Sequence, residues 1–544
     1  FLPVLAVGIS AVIVIGTMAM VGETMNVLNN IVPPLLIIIG VSDSIHLIGR
    51  YREELEHTDS KIEAARNTVR AMAVACFLTS VTTSVGMASL LVGETEMLHH
   101  FGVISSIGVM IAYVVTIGFL PSAMTYFAPP VAARNRPDRP ERFDPIVWLT
   151  RHILERPWPF IGGAVALLGL FVWGALQVTV DSALLDEFEE DDVAYISTRL
   201  MEEKLDGVRP LEIMLESDEP NRLLAPEVLA AVDDVQTFLR AQPGVLGTIS
   251  PTDYLHLSWA RLAGDPEAAA EPFRSAEQVE AMRMLFSRTE RDPLGPFVTD
   301  DGRCARVHVA LSDVGAAASL ELIEELQRML NARFEPLGVR VALAGEGYTG
   351  SVGLNAVVYD LLGSLSTAVL IIFGMLVVLF RSWRLGLLSI PPNIIPLVGT
   401  LAWMWLRGMN LNAATVIVFS ISLGLAVDGS IHMLARYREE IGHGRVRNDA
   451  LLRVARGTGR AIVVSGVTLM LGFGVMRFSS FVPVQRFGEL IGVTVGLCLL
   501  STLIVQPALL RVWAPETPPT RFRRKTTPMS SPASDSAGTE REEE

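Results

Sequence analysis

Cysteine is scarce in this 544-residue chain: Cys76, Cys304 and Cys498 are far apart and odd in number. That count does not suit a disulfide framework, and each is read as a small core residue. No Gly-x-x-x-x-Gly-Lys-Ser/Thr run occurs. Without a nucleotide-binding loop, direct drive by ATP is not expected, and an ion gradient is the remaining energy source. Nucleophile elbows and zinc-protease motifs are missing too, so no enzymatic activity, cofactor or metal is expected. Charged residues make up only 19% of the chain. No charged leader or cleavage site accompanies the first apolar run, already under way at Phe1, so that run is not read as a signal peptide.

What is present is mostly apolar. Hydrophobic residues are 50% of the total and the mean hydropathy is +0.42. Apolar runs of about twenty residues, enough to cross the ~30 Å hydrocarbon core as a helix, recur along the chain. Ten membrane helices are predicted, at 1–21, 26–49, 72–92, 101–127, 158–178, 359–380, 386–407, 412–435, 460–477 and 486–512. The linkers carrying Arg50, Arg52, Lys61, Arg66 and Arg70, then Arg134 to Arg142, Arg381 and Arg384, Arg436 to Arg453, and Arg521 to Lys525 all fall on one side of the alternating topology. The positive-inside rule makes that side cytoplasmic.

The net charge of −14 is uneven: 33 Asp and Glu against 15 Lys and Arg lie between Val178 and Val358. An acidic outer domain beside basic membrane loops argues against nucleic acid as a partner. Within this domain Leu211–Leu215, Val245–Ile249, Ala305–Leu311 and Val339–Leu343 read as strands, and Pro226–Ala241 and Leu320–Phe334 as helices. Two β-α-β units in that order fit a ferredoxin-like α+β layer with a polar insertion from Pro251 to Gly302.

An internal repeat organises the rest. Residues 1–127 align without a gap onto 387–513 at a constant offset of 386. Asn26 falls on Asn412, His46 on His432, the run Arg50 to Glu54 on Arg436 to Glu440, Thr82 on Thr468, Gly86 on Gly472 and Pro121 on Pro507. Equivalent helices are six spans apart, an even number, so the halves run parallel about an axis along the membrane normal. The predicted organisation is a first-half bundle (1–127), a cytoplasmic linker (128–157), a helix opening the second half (158–178), an outer domain (179–355), a second-half bundle (356–513) and a disordered cytoplasmic tail (514–544). By the same symmetry roughly 230 residues are expected ahead of Phe1.

Two helices end in nearly the same residues. One reads Gly40-Val-Ser-Asp43-Ser-Ile-His46 up to Arg50-Tyr-Arg-Glu-Glu54, the other Gly424-Leu-Ala-Val-Asp428-Gly-Ser-Ile-His432 up to Arg436-Tyr-Arg-Glu-Glu440. If Arg50 and Arg436 mark the interface, Asp43 and Asp428 lie roughly 10–12 Å inside it. An ionised carboxylate at such depth costs at least about 2.5–3.5 kcal/mol, and it persists where it faces a partner or a wet path. Asp43 and His46 at i,i+3, and Asp428 and His432 at i,i+4, share helix faces. They form a candidate proton relay, with Ser42, Ser44, Thr82, Ser430 and Thr468 as supporting hydroxyls. The competing reading is an interhelical hydrogen-bond pair that only fixes packing.

With these residues in hand, the chain resembles the resistance–nodulation–division (RND) superfamily, in the hydrophobe and amphiphile exporter branch that includes the MMPL type. The Gly-x-x-Asp, Ile-His and Arg-Tyr-Arg-Glu-Glu elements in both halves carry the resemblance, with the parallel repeat and the large outer domain. It implies a polytopic α-helical protein of a bacterial inner membrane, with a ferredoxin-like porter domain on the periplasmic side. It also implies proton-driven export of hydrophobic or amphiphilic molecules, lipids above all, with a homo-oligomer or an accessory periplasmic protein as a possible partner. In that superfamily the fourth and tenth helices carry the relay acids, a placement similar to that of Asp43 and Asp428. Related sterol-sensing proteins suggest the alternative of a lipid sensor that transports nothing. A third reading is a degenerate half of a larger exporter. The sequence departs from the pattern in one respect: Ser44 and Gly429 follow the acids, and the repeat pairs Asp43 with Gly429 and Ser42 with Asp428. The acids are one residue, about 100° of helix, out of register, and Asp428 is favoured as the more important.

Other motifs carry less. Gly345 to Gly350 matches GxGxxG, but a membrane helix follows it, so it reads as a flexible joint. His99 and His100 read as solvated loop residues, and the acidic run Asp186 to Asp192 as a solvated surface without Ca²⁺-loop spacing.

Overall fold

The computed structural model describes every residue except 26–28, 59, 94, 127–143, 182, 184, 205–206, 208, 266, 268–272, 274, 287–291 and 515–544. The predicted Asn26–Asn412 pairing, most of the linker from 128 and the tail therefore lie partly or wholly outside the described residues. The first half holds α1 (Leu2–Val21), α2 (Val32–His57), α3 (Lys61–Ala88) and α4 (Glu96–Tyr126). Then come α5 (Pro145–Glu155) and α6 (Pro157–Ala175). The outer domain contains α7 (Val193–Lys204), β1 (Arg209–Glu216), α8 (Pro226–Arg240), β2 (Val245–Ile249), α9 (Pro251–Ala263), α10 (Ala276–Phe286), β3 (Cys304–Leu311), α11 (Ala316–Phe334) and β4 (Arg340–Ala344). The second half adds α12 (Glu346–Phe380), α13 (Trp383–Leu406), α14 (Ala413–Gly442), α15 (Arg447–Val454), α16 (Arg460–Val475) and α17 (Val482–Trp513).

Among the described residues ten helical spans are long and apolar enough to cross a membrane, so the chain is a multi-pass membrane protein. Local chemistry explains where the helices start. Proline stands in the first turn of α5, α6, α8 and α9, where its missing N–H is no loss. Ser60, Asp144, Ser382 and Asn412 cap α3, α5, α13 and α14 with side-chain oxygens. Several helices outrun their predicted apolar stretches. The Arg-Tyr-Arg-Glu-Glu runs continue α2 and α14, and i,i+3 and i,i+4 ion pairs brace them: Arg50 with Glu53 (3.2 Å) and Glu54 (2.8 Å), Arg436 with Glu439 (2.9 Å) and Glu440 (2.8 Å).

Burial orders the bundle. In α14 89% of the apolar window is buried, against 11% in α6. A helix apolar on all sides and covered on all sides is a core element, and α6 turns Val165, Leu170 and Trp173 outward where lipid would lie. The halves interlock, since α14 packs on α3 and α16 on α2. One contact is closer than its counterpart. A Cβ on Gly424 would stand 2.7 Å from Thr83 Cα, whereas a Cβ on Gly472 would stand 3.3 Å from Ile38 Cγ1. Ile38 is the repeat equivalent of Gly424, so one side chain props apart the second crossing.

The outer domain has a four-stranded sheet in the order β2-β3-β1-β4 with every neighbour antiparallel. Each β-α-β unit is split by a strand of the other. Its core is separate from the membrane bundle and packs α8 and α11 residues such as Val232, Leu239, Leu326 and Phe334 on Ile213 and Val309. The described part of the polar insertion from Pro251 to Gly302 contains the helices α9 and α10, and Ser250 and Asp253 form a capping box that starts α9.

Two minor expectations are corrected. The glycines from Gly345 do not make a flexible joint: Gly345 (φ 89°) caps α12, which runs unbroken from the sheet into the membrane. A Cβ on Gly345 would lie 2.5 Å from the Pro210 carbonyl oxygen, so the glycine serves a close approach. His99 and His100 lie in the first turns of α4, not in a loop; His99 bonds the Gly93 carbonyl and His100 pairs with Glu23. The described end of the 128–157 linker is the helix α5, which packs on α17 and α15.

Candidate functional site

The site forms where α2 and α14 approach at mid-bundle. Ser42 Oγ donates to Asp428 Oδ2 at 3.3 Å. The His46 and His432 rings stack, with centroids 4.2 Å apart and planes 13° from parallel. Both contacts join repeat equivalents: position 42 meets 428 and position 46 meets 432. The pseudo-twofold axis therefore passes through this centre. That placement accounts for the register difference between the acids. A symmetric acid at position 42 would press two carboxylates together on the axis, an arrangement that strongly disfavours their both being ionised. Here a hydroxyl faces the axial carboxylate. The second acid, Asp43, sits one residue on and accepts from Ser80 Oγ of α3 at 3.4 Å.

Asp43, His46 and His432 are buried, and the Asp428 side chain is 15% exposed. His432 Nε2 lies 3.3 Å from Asp428 Oδ1. The distance suits an ion pair, but the alignment is not that of a hydrogen bond, and both atoms lack a hydrogen-bond partner among the described residues. A buried polar group in that state is costly, on the order of 1–3 kcal/mol. His46 Nε2 stands 3.3 Å from Ser465 Oγ of α16. Cys76 of α3 brings its sulfur within 4.8 Å of ligand atoms of Asp43 and His432. The three side chains are all buried and belong to the same polar centre.

The predicted supporting hydroxyls divide. Ser42 reaches the acid of the other half. Ser44 donates to the Gly40 carbonyl (2.8 Å) and Ser430 to Asn393 Oδ1 of α13 (3.1 Å). Thr82 donates to the Thr79 carbonyl (2.8 Å) and Thr468 to the Val464 carbonyl (2.7 Å), so both are spent on their own helices. Ser80 and Ser465 stand where those threonines were expected. Repeat identity singled out Thr82 and Thr468, but Ser80 falls on Gly466 and Ser465 on Thr79. Neither serine has an identical repeat partner.

A cavity of about 1260 Å³ extends from His46 and His432 to the arginine-bearing ends of the helices, where Arg50, Arg436 and Arg438 line it. Gly457 and Thr458 form part of its wall, within a π-helical turn at Ala455–Gly459 that interrupts the α15–α16 run. Turns of this kind recur at functional sites. The centre thus has a route to the arginine-bearing ends of the helices.

Comparison with known proteins agrees with this architecture. The sequence profile of the MMPL family matches residues 1–165 and 189–534. The chain belongs to the MMPL family. It is 30% identical over 230 residues to the membrane protein ActII-3 of Streptomyces coelicolor, covering 41% of this chain and 32% of that protein. It is 25% identical over 333 residues to the membrane protein MJ1562 of Methanocaldococcus jannaschii, covering 60% and 78%. It is 28% identical over 225 residues to the hopanoid transporter HpnN of Burkholderia multivorans, covering 41% and 25%. The matched stretches thus span a third or less of ActII-3 and HpnN. Within this MMPL chain, Asp43 and Asp428 come from different halves and meet in one centre.

Proposed function

We propose that this MMPL chain exports hydrophobic or amphiphilic molecules, lipids foremost, and that proton movement through Asp43, His46, Asp428 and His432 drives the export. The observation that carries the reading is the convergence of equivalent residues from both halves on the pseudo-axis, with a cavity leading from them to one face. Protonation of a carboxylate there removes a charge from a low-dielectric centre and changes which packing of the interlocked halves is favoured. The outer layer, read as a ferredoxin-like porter, would move with the bundle through α12 and release substrate. That layer is assigned to the periplasmic side of a bacterial inner membrane, opposite the arginine-rich helix ends. HpnN, a relative named for hopanoid transport, supports an apolar substrate. We assign no enzymatic step.

The test is Asp428→Asn in the full-length protein reconstituted into proteoliposomes. The expected outcome is loss of substrate-dependent proton flux with an unchanged thermal midpoint and elution profile. Flux at the unmodified level would remove Asp428 from the relay. An unmodified protein that binds lipid but never moves protons would favour a sensor.

A further inference from the structure

The cavity beneath the histidines has a second property that proton movement does not use. Five arginines line it: Arg50, Arg381, Arg384, Arg436 and Arg438. Arg50 and Arg436 are neutralised by glutamates of their own helices. Arg381, Arg384 and Arg438 form no salt bridge among the described residues. Arg384 lies over the Trp383 ring at 5.7 Å and Arg438 over the Phe380 ring at 6.0 Å, so aromatic faces hold both guanidiniums without taking up their hydrogen-bonding forks. Arg381 ends α12 in the left-handed region (φ 44°) and is one of two non-glycine residues with positive φ among those described. That geometry is a common helix ending, and it sets the Arg381 backbone at the mouth of the cavity.

The rest of the wall is apolar. Met72, Val74, Leu78 and Leu379 line the cavity, and Val74 and Trp383 are more than 60% exposed on a surface that bilayer would cover. The cavity therefore has a basic end at headgroup level and an apolar side facing acyl chains.

We propose that this vestibule binds an anionic phospholipid of the cytoplasmic leaflet, its phosphate held by Arg381, Arg384 and Arg438 and one chain seated against α3 beside Val74. Arginine forks match phosphate oxygens in paired hydrogen bonds, and a desolvated mouth strengthens them relative to open bilayer surface. Binding is read without transport, so the proposal stands or falls separately from the export reading.

The test uses the full-length protein incorporated into vesicles of phosphatidylcholine with a minority of phosphatidylglycerol, extracted mildly, and analysed for retained lipid by native mass spectrometry. Arg381→Gln/Arg384→Gln/Arg438→Gln is expected to lower retained phosphatidylglycerol ~10-fold or more, because all three charge-assisted contacts to the phosphate are lost. Arg52→Gln/Arg66→Gln/Arg70→Gln removes as much charge from the same face outside the vestibule and is expected to change little. Val74→Trp is expected to reduce retention with the charge intact. The corresponding triple lysine variant, which keeps the charge, provides a folded reference and is expected to retain more lipid than the glutamine triple. Equal loss in the two glutamine triples would mean adsorption by surface charge and would overturn the proposal. Unchanged retention in the vestibule triple would overturn it too, as would displacement by free glycerol phosphate, which carries no chain.

Discussion

At the scale of single residues, the two halves differ where the repeat would otherwise make them equal. Asp428 faces Ser42 on the axis and Asp43 faces Ser80 off it. Gly424 allows α14 to touch α3, while its equivalent Ile38 separates α2 from α16. A side chain at position 424 must push against Thr83 backbone rather than a pliable side-chain tip. Gly424→Leu is expected to cost about 1–3 kcal/mol, the usual range for overpacking a tight core, and to lower the thermal midpoint in detergent. Gly16→Leu, at a position where a Cβ would meet nothing within 4 Å, is expected to leave the midpoint within error. Similar losses in both would mean that the crossing is no tighter than a lipid-facing surface. Much of the centre was legible from the sequence, because an acid and a histidine on one face of an apolar helix are rare and recur in both halves, the histidines at the offset of 386 and the acids one residue out of register. What was not legible was which hydroxyls serve them. Thr82 and Thr468 are repeat partners, yet a hydroxyl on a helix can return to its own backbone, and only packing decides.

At the scale of elements, helix identity was easier to read than helix extent. Apolar runs located all ten spans, but α2, α12 and α14 continue through charged or glycine-bearing sequence that hydropathy alone would end. Ion pairs extend the first and last, and side-chain contacts with the sheet anchor α12. Buried Arg209 of β1 pairs with Asp313 (3.0 Å) and with Glu346 in the first turn of α12 (3.1 Å), and it donates to Ser351 (3.3 Å). Asp313 in turn accepts from the Leu185 amide at 2.8 Å. Removing one member strands the others. Arg209→Met is expected to lower stability by about 3–5 kcal/mol, as for other broken buried pairs. Arg209→Met combined with Asp313→Leu is expected to recover part of that loss in a thermal-unfolding double-mutant cycle. Strict additivity would show that the two residues do not act as a pair.

At the scale of the whole molecule, the positive-inside rule predicts that the arginine-rich helix ends face the cytoplasm and the acidic domain the opposite side. With Cys76, Cys304 and Cys498 replaced by serine or alanine, Arg328→Cys on α11 is expected to react with a membrane-impermeant maleimide from the outer face. His443→Cys, beyond the end of α14, is expected to react only after the membrane is opened. The reverse pattern would invert the topology. The strand order of the outer sheet could be anticipated from two β-α-β units in sequence. The joining of outer domain to bundle could not, because it rests on contacts between residues more than a hundred positions apart, such as Arg209 with Glu346 and Glu189 with Gln485.

The unbroken course of α12 fixes the relation between those two regions. Its 35 residues make a rod of about 52 Å, anchored at the sheet by Glu346 and ending beside Arg381 at the basic mouth. A rod of hydrogen-bonded turns transmits tilt from end to end with little slack. If the outer layer swings during export as proposed, this rod is expected to reposition the arginine mouth in the same stroke, the two ends acting as the arms of a single lever.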